Sequence, residues 1–155
     1  MGLTERQVEA LFRKFKRKII TKVGRDETSD TQLRGIGNEL LGRRFIGVYP
    51  QDKIPLGRTG LIIANTDTSN GPGVHWVAMV LTPKTIYVFD SFARATKQLM
   101  KILSKNAKHK QIKIVDSDRS DAEQRDESSL SVCGQLCLAW LCVVKQVGVR
   151  SALRI

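Results

Sequence analysis

The stretch HWVAMVLTPKTIYVFD, His75 to Asp90, is two strand-like runs of β-branched and aromatic residues separated by Thr82-Pro83-Lys84. Two such runs about a short proline-containing turn predict an antiparallel hairpin. In a pair folded there, His75 lands opposite positions 90 to 92, depending on the turn. His75 and Asp90, 15 residues apart in sequence, are thereby brought together at the open end of the hairpin. An imidazole beside a carboxylate is what a general base and its orienting acid need. A structural His–Asp pair at a strand end has the same spacing, so spacing alone leaves both readings open.

Working outward, FIGVY (Phe45 to Tyr49), GLIIAN (Gly60 to Asn65) and IKIVD (Ile112 to Asp116) read as further strands. A lysine-rich helix is predicted over Ala93 to Lys105. Upstream, Thr4 with Gln7 makes a capping box, and Val8, Leu11, Phe12, Phe15 and Ile19 recur at helical spacing until Gly24. A second helix is expected from Thr31 to Leu41, with Leu33, Ile36 and Leu40 inward. The last helix starts near Cys133 and carries Leu136, Cys137, Trp140, Leu141 and Val144 on one stripe, mostly buried. NTDTSNGPGV (Asn65 to Val74) and the polar segment Ser117 to Ser131 read as loops. No repeat or long linker is visible, so one domain over 1–155 is expected: α+β, a central mixed or antiparallel sheet against the cysteine-bearing helix.

Hydrophobic residues make up 41% and charged residues 26%, a balance that excludes a disordered chain. The longest apolar run, Leu136 to Val144, is too short to span a bilayer, and no membrane partner is expected. Cys133, Cys137 and Cys142 are three in number and crowded on one helix, which is a poor disulfide framework and suggests a reducing compartment. Their spacing has no CxxC pair and the chain has 2 histidines, so no metal site is expected.

The net charge of +11 is uneven. Residues 97–113 hold six lysines and no acid, whereas 116–127 hold six acids and two arginines. Arg13, Lys14, Arg17 and Lys18 on the first helix, with Lys97, Lys101, Lys105 and Lys108 spaced along one face of the later one, suggest a track for DNA phosphates. Surface solvation would account for the same residues. Few aromatics are interleaved, so any DNA binding should be independent of sequence.

Cys133 stands where a polar loop meets a buried helix. The positive end of a helix dipole favours an anionic sulfur, the nucleophilic form of a thiol. Gly134 after it would leave room for a substrate backbone. Cys137 and Cys142, inside the apolar stripe, read as small core residues. An oxyanion needs hydrogen-bond donors. The Cys133 backbone N–H is one, and Gln124 is the single Gln or Asn between Gln111 and Cys133.

Taken together, GPGVHWVAMVLTP, YVFDSF, a loop glutamine and SVCGQLCLAWL resemble the adenovirus-type maturation protease, whose wider clan includes proteases of ubiquitin-like modifiers and has members in virophages and Maverick-type transposons. FIGVYPQDKIP and LIIANT are similar to the segments preceding the histidine in those enzymes, so the resemblance spans about Phe45 to Val144. It implies a cysteine endopeptidase with Cys133 as nucleophile, His75 as base, Asp90 as orienting residue and Gln124 as oxyanion donor. Trp76, Gly73 and Gly134 would contact substrate. Implied substrates are capsid and core precursors cut at small-residue, glycine-containing sites, in the virion or an intracellular site of virus assembly. No cofactor is required by this reading, although DNA would stimulate. A peptide activator tethered by disulfide to a cysteine upstream of the nucleophile is excluded, since no cysteine precedes Cys133. Two alternatives share the sequence: a protease that removes a ubiquitin-like modifier after Gly-Gly, and a non-catalytic, DNA-binding capsid-associated protein.

Overall fold

The computed structural model describes residues 3–26, 28–65, 75–90, 96–116 and 132–155. Thr4 and Gln7 form the reciprocal capping box that opens α1 (Glu5–Val23), and Gly24, at φ 88°, closes it. A second capping box, Ser29 with Gln32, opens α2 (Asp30–Leu41). Leu33, Gly37 and Leu41 are the buried residues of α2, while Ile36 and Leu40, expected to point inward, are half-buried. The reason is Phe45: its ring lies against Gly37 so closely that a Cβ there would collide with it, which rotates the helix onto that face.

Five strands form one sheet in the order β1-β2-β3-β4-β5. They are β1 (Phe45–Pro50), β2 (Gly60–Asn65), β3 (Trp76–Leu81), β4 (Thr85–Asp90) and β5 (Gln111–Asp116). β1 with β2 and β4 with β5 are parallel; β2–β3 and β3–β4 are antiparallel. The sheet is mixed, as expected. The β3–β4 hairpin closes on Thr82, whose N–H and hydroxyl both donate to Thr85 O, and its register runs from Leu81 opposite Ile86 to Ala78 opposite Phe89.

Helices cover both faces of the sheet. Leu61, Ile63, Ala78, Val80 and Phe89 face a core shared with α1, α2 and α4 (Cys133–Val147). Ile62, Ala64, Val77, Met79, Ile86 and Val88 face Leu99 and Leu103 of α3 (Thr96–Asn106), on the other side. This double cover explains why β2 and β3 read as unbroken apolar runs instead of alternating ones. Every residue of α4 from Cys133 to Val144 is buried, so the helix is enclosed on all sides and not along one stripe. Its Trp140 stacks on Phe89 at 5.2 Å between ring centroids and donates its indole N–H to Ala152 O in α5 (Val149–Ala152), 3.0 Å away. Phe12 of α1 meets the same Phe89 edge-on at 6.1 Å. The end of β4, which carries Asp90, is thus gripped by two helices.

Candidate active site

The C-terminal end of β4 and the N-terminal end of β3 lie side by side because the two strands are antiparallel. Ladder pairing stops at Ala78 and Phe89, and just beyond it the side chains of His75 and Asp90 meet. His75 Nε2 is 2.6 Å from Asp90 Oδ1, with the residues 3% and 0% exposed. Shielded from water, such a charge-assisted bond is strong and holds the ring in one orientation. With Nε2 committed to Asp90, Nδ1 is the ring nitrogen left to act on a thiol.

That thiol is Cys133. The helix α4 crosses β3 so that the Trp76 backbone N–H, one residue after His75, donates to Cys133 Sγ at 3.4 Å. Burial by itself would push the His75 imidazole down. Hydrogen bonding to Asp90 and to Cys133, with the charge on both partners, more than offsets it and raises the ring from 6.5 to about 9. The imidazolium is therefore the favoured form near neutral pH, flanked by a carboxylate and a sulfur.

Val132 precedes Cys133 as the N-cap of α4 and makes no side-chain capping hydrogen bond. The first-turn N–H groups, that of Cys133 among them, are thus not occupied by the side chain of Val132. The other two cysteines differ. Burial pushes the Cys137 thiol well above its ordinary value and lifts Cys142 to about 11, holding both as neutral core groups. All three cysteines are free thiols.

Gly134 has a different setting from the open one its position suggested. A Cβ on it would collide with Thr28 Oγ1 and lie 3.0 Å from Leu33 Cδ2, so the missing side chain makes room for the α1–α2 connection, not for substrate. Trp76, 7% exposed, likewise turns its indole into the core and donates Nε1–H to Thr28 O at 3.3 Å. Gln135 is the residue the sequence reading passed over. It is fully buried in the first turn of α4 and donates to Gly24 O and Asp26 O, each at 2.9 Å. The signal was present: a polar amide within the apolar run after Cys133 must find buried partners.

Gly73 and Gln124 lie outside the described residues. Of the basic residues, Arg13, Lys14, Arg17 and Lys18 are exposed on α1, and Lys101 and Lys105 on α3. Lys97 belongs to α3, its side chain outside the description, and Lys108 falls beyond the last helical residue, Asn106, so the expected four-lysine helical face is cut short. α1 and α3 also lie on opposite sides of the sheet, which separates the single expected track into two basic surfaces.

No curated protein matches the chain significantly. A family comparison is decisive where single relatives are not: the adenovirus endoprotease family model matches residues 42–147, from the turn before β1 through the whole cysteine helix. The chain therefore belongs to the adenovirus endoprotease family and is a cysteine endopeptidase.

Proposed function

We propose that the chain is a maturation protease in which Cys133, His75 and Asp90 carry out peptide-bond hydrolysis. The observation that carries this is the continuous contact Asp90–His75–Trp76–Cys133, with 2.6 Å between imidazole and carboxylate and 3.4 Å between the Trp76 N–H and the sulfur. The proton that Cys133 and His75 share rests on the imidazole, at Nδ1, and the sulfur adds to the scissile carbonyl carbon. The resulting oxyanion is met by the Cys133 N–H and, on this reading, by the Gln124 amide. Collapse breaks the C–N bond, and the imidazolium passes its proton to the leaving amine. Water, deprotonated by His75, then attacks the thioester and restores the thiol. Asp90 stays ionised throughout, steadying the imidazolium.

The substrates on this reading are capsid and core precursors cut at small-residue, glycine-containing sites, with Gly73 as a substrate contact; the family membership and the resemblance of GPGVHW support it. DNA is the second partner, sequence-independent and stimulatory but not required, supported by the net charge of +11 and the exposed bases of α1 and α3. No described helix is long and apolar enough to cross a membrane. Three free thiols fit a reducing assembly site or the virion. Incubation with capsid precursors and glycine-containing peptides, with and without a thiol alkylator, tests the reading. Cleavage that survives in Cys133→Ala would refute it, and a strict requirement for a folded modifier ending in Gly-Gly would turn it into deconjugation.

A further inference from the structure

One short connection touches both halves of the site. Gly24 closes α1 and Ser29 caps α2, so the backbone between them is held at both ends. The carbonyls of Gly24, Asp26 and Thr28 turn inward. Gly24 O and Asp26 O accept both hydrogen bonds from Gln135 Nε2, and Thr28 O accepts the Trp76 indole N–H. Trp76 directly follows His75, and Gln135 follows Cys133 by two positions. Thr28 also rests on Gly134, at a separation that no Cβ would permit. The start of β3 and the start of α4 are thus tied, by three hydrogen bonds and one close packing contact, to the same few residues. These residues precede the span that matches the family, which begins at 42.

We infer that Gly24, Asp26 and Thr28, between α1 and α2, form a positioning element, a clasp that sets the distance between His75 and Cys133. The inference rests on the reading of those two residues as base and nucleophile. Attack by sulfur on a carbonyl tolerates little displacement: a shift of about 1 Å costs on the order of 10²-fold in rate. The Trp76 N–H reaches the sulfur at 3.4 Å, a long contact that relies on neighbours to hold it. A fully buried Gln135 amide with both N–H groups on one turn supplies that rigidity from the helix side, and the Trp76 indole supplies it from the strand side.

The test uses the full chain with two variants. Gln135→Met keeps the volume and removes both bonds on the helix side; Trp76→Phe keeps an aromatic ring and removes the bond on the strand side. Each is assayed well below its own melting temperature for kcat and KM on a glycine-containing peptide, and for the pH profile of Cys133 alkylation by iodoacetamide. The expected result is a kcat lower by on the order of 10–10²-fold, KM little changed and an alkylation profile displaced along the pH axis. A lower melting temperature with kcat and the alkylation profile intact would overturn the clasp and leave the bonds purely stabilising. Should Gln135→Met not fold, Trp76→Phe decides by the same criteria. Activity persisting in Cys133→Ala would instead overturn the reading of the site, an outcome separable from failure of the clasp.

Discussion

The Nε2 of His75 stands 2.6 Å from Oδ1 of Asp90, both side chains sealed from solvent at the open end of the β3–β4 hairpin. Asp90→Asn keeps a hydrogen-bond acceptor there but loses the charge that steadies the imidazolium. Turnover is expected to fall by about 10²–10⁴-fold. His75→Ala removes the proton carrier itself and should fall further, to the level of Cys133→Ala. Steady-state kinetics on folded variants check this; equal losses in Asp90→Asn and His75→Ala would give the carboxylate a more direct role.

The raised imidazole makes stability depend on pH. With the folded group at about 9 against 6.5 for a free histidine, the folded state binds the proton more tightly. Its contribution is full below pH 6.5 and is lost as pH climbs through 9. The urea midpoint should therefore fall across that window, and Asp90→Asn should flatten the fall. Above pH 9, Cys137 and Cys142 act in the same direction, because their folded thiols are pushed up and the unfolded ones ionise first.

Iodoacetamide at neutral pH should modify Cys133 before the other two. Cys137 and Cys142 are held neutral by burial, whereas Cys133 has the His75 imidazolium beside it. Cys133→Ala is expected to abolish cleavage and leave the fold intact. Cys137→Ala and Cys142→Ala should retain cleavage and cost about 1–2 kcal/mol of stability. Peptide mapping by mass spectrometry and denaturant titration give the two readouts.

Gly134→Ala should destabilise by about 1–3 kcal/mol, because the new Cβ falls on Thr28 Oγ1 and presses Leu33. Adding Thr28→Ala removes that oxygen and should recover part of the loss. A double-mutant cycle in denaturant measures the coupling. Additive effects would show that residues 28 and 134 do not press on one another in solution.

Binding of duplex DNA should weaken steeply with salt, with a log–log slope of about −0.9 per phosphate neutralised. Lys101, Lys105 and Lys108 changed together to Gln should flatten the slope and spare cleavage of a short peptide. Since α1 lies on the other side of the sheet, changing Arg13, Lys14, Arg17 and Lys18 should remove a separate share. A binding constant indifferent to salt would reduce both faces to solubilising surface.

Local rules carried far in this chain. Thr4 with Gln7 and then Gly24 mark the ends of α1 because caps depend on residues three or four apart. The bounds of β2 and β4 coincide with GLIIAN and TIYVFD, and the turn at Thr82 was enough to bring His75 to Asp90, since a hairpin converts a short sequence interval into contact. Cys133 stood out by its place at the mouth of an apolar helix. What sequence periodicity does not encode is which layer stacks on which. The contact between Trp76 and Cys133 spans 57 positions, and those of Gln135 with Gly24 and Asp26 span 111 and 109. These depend on α1 and α4 packing on the same face of the sheet while α3 takes the other. For the same reason Gly134, open in the sequence, is pressed on by Thr28, and the basic residues of α1 and α3 face opposite ways. The sequence alone determined the chemical groups and the short-range pairings. Long-range burial of apolar surface decided how the base and the nucleophile meet, because the packing of whole faces is a property of the assembled layers and of no single segment.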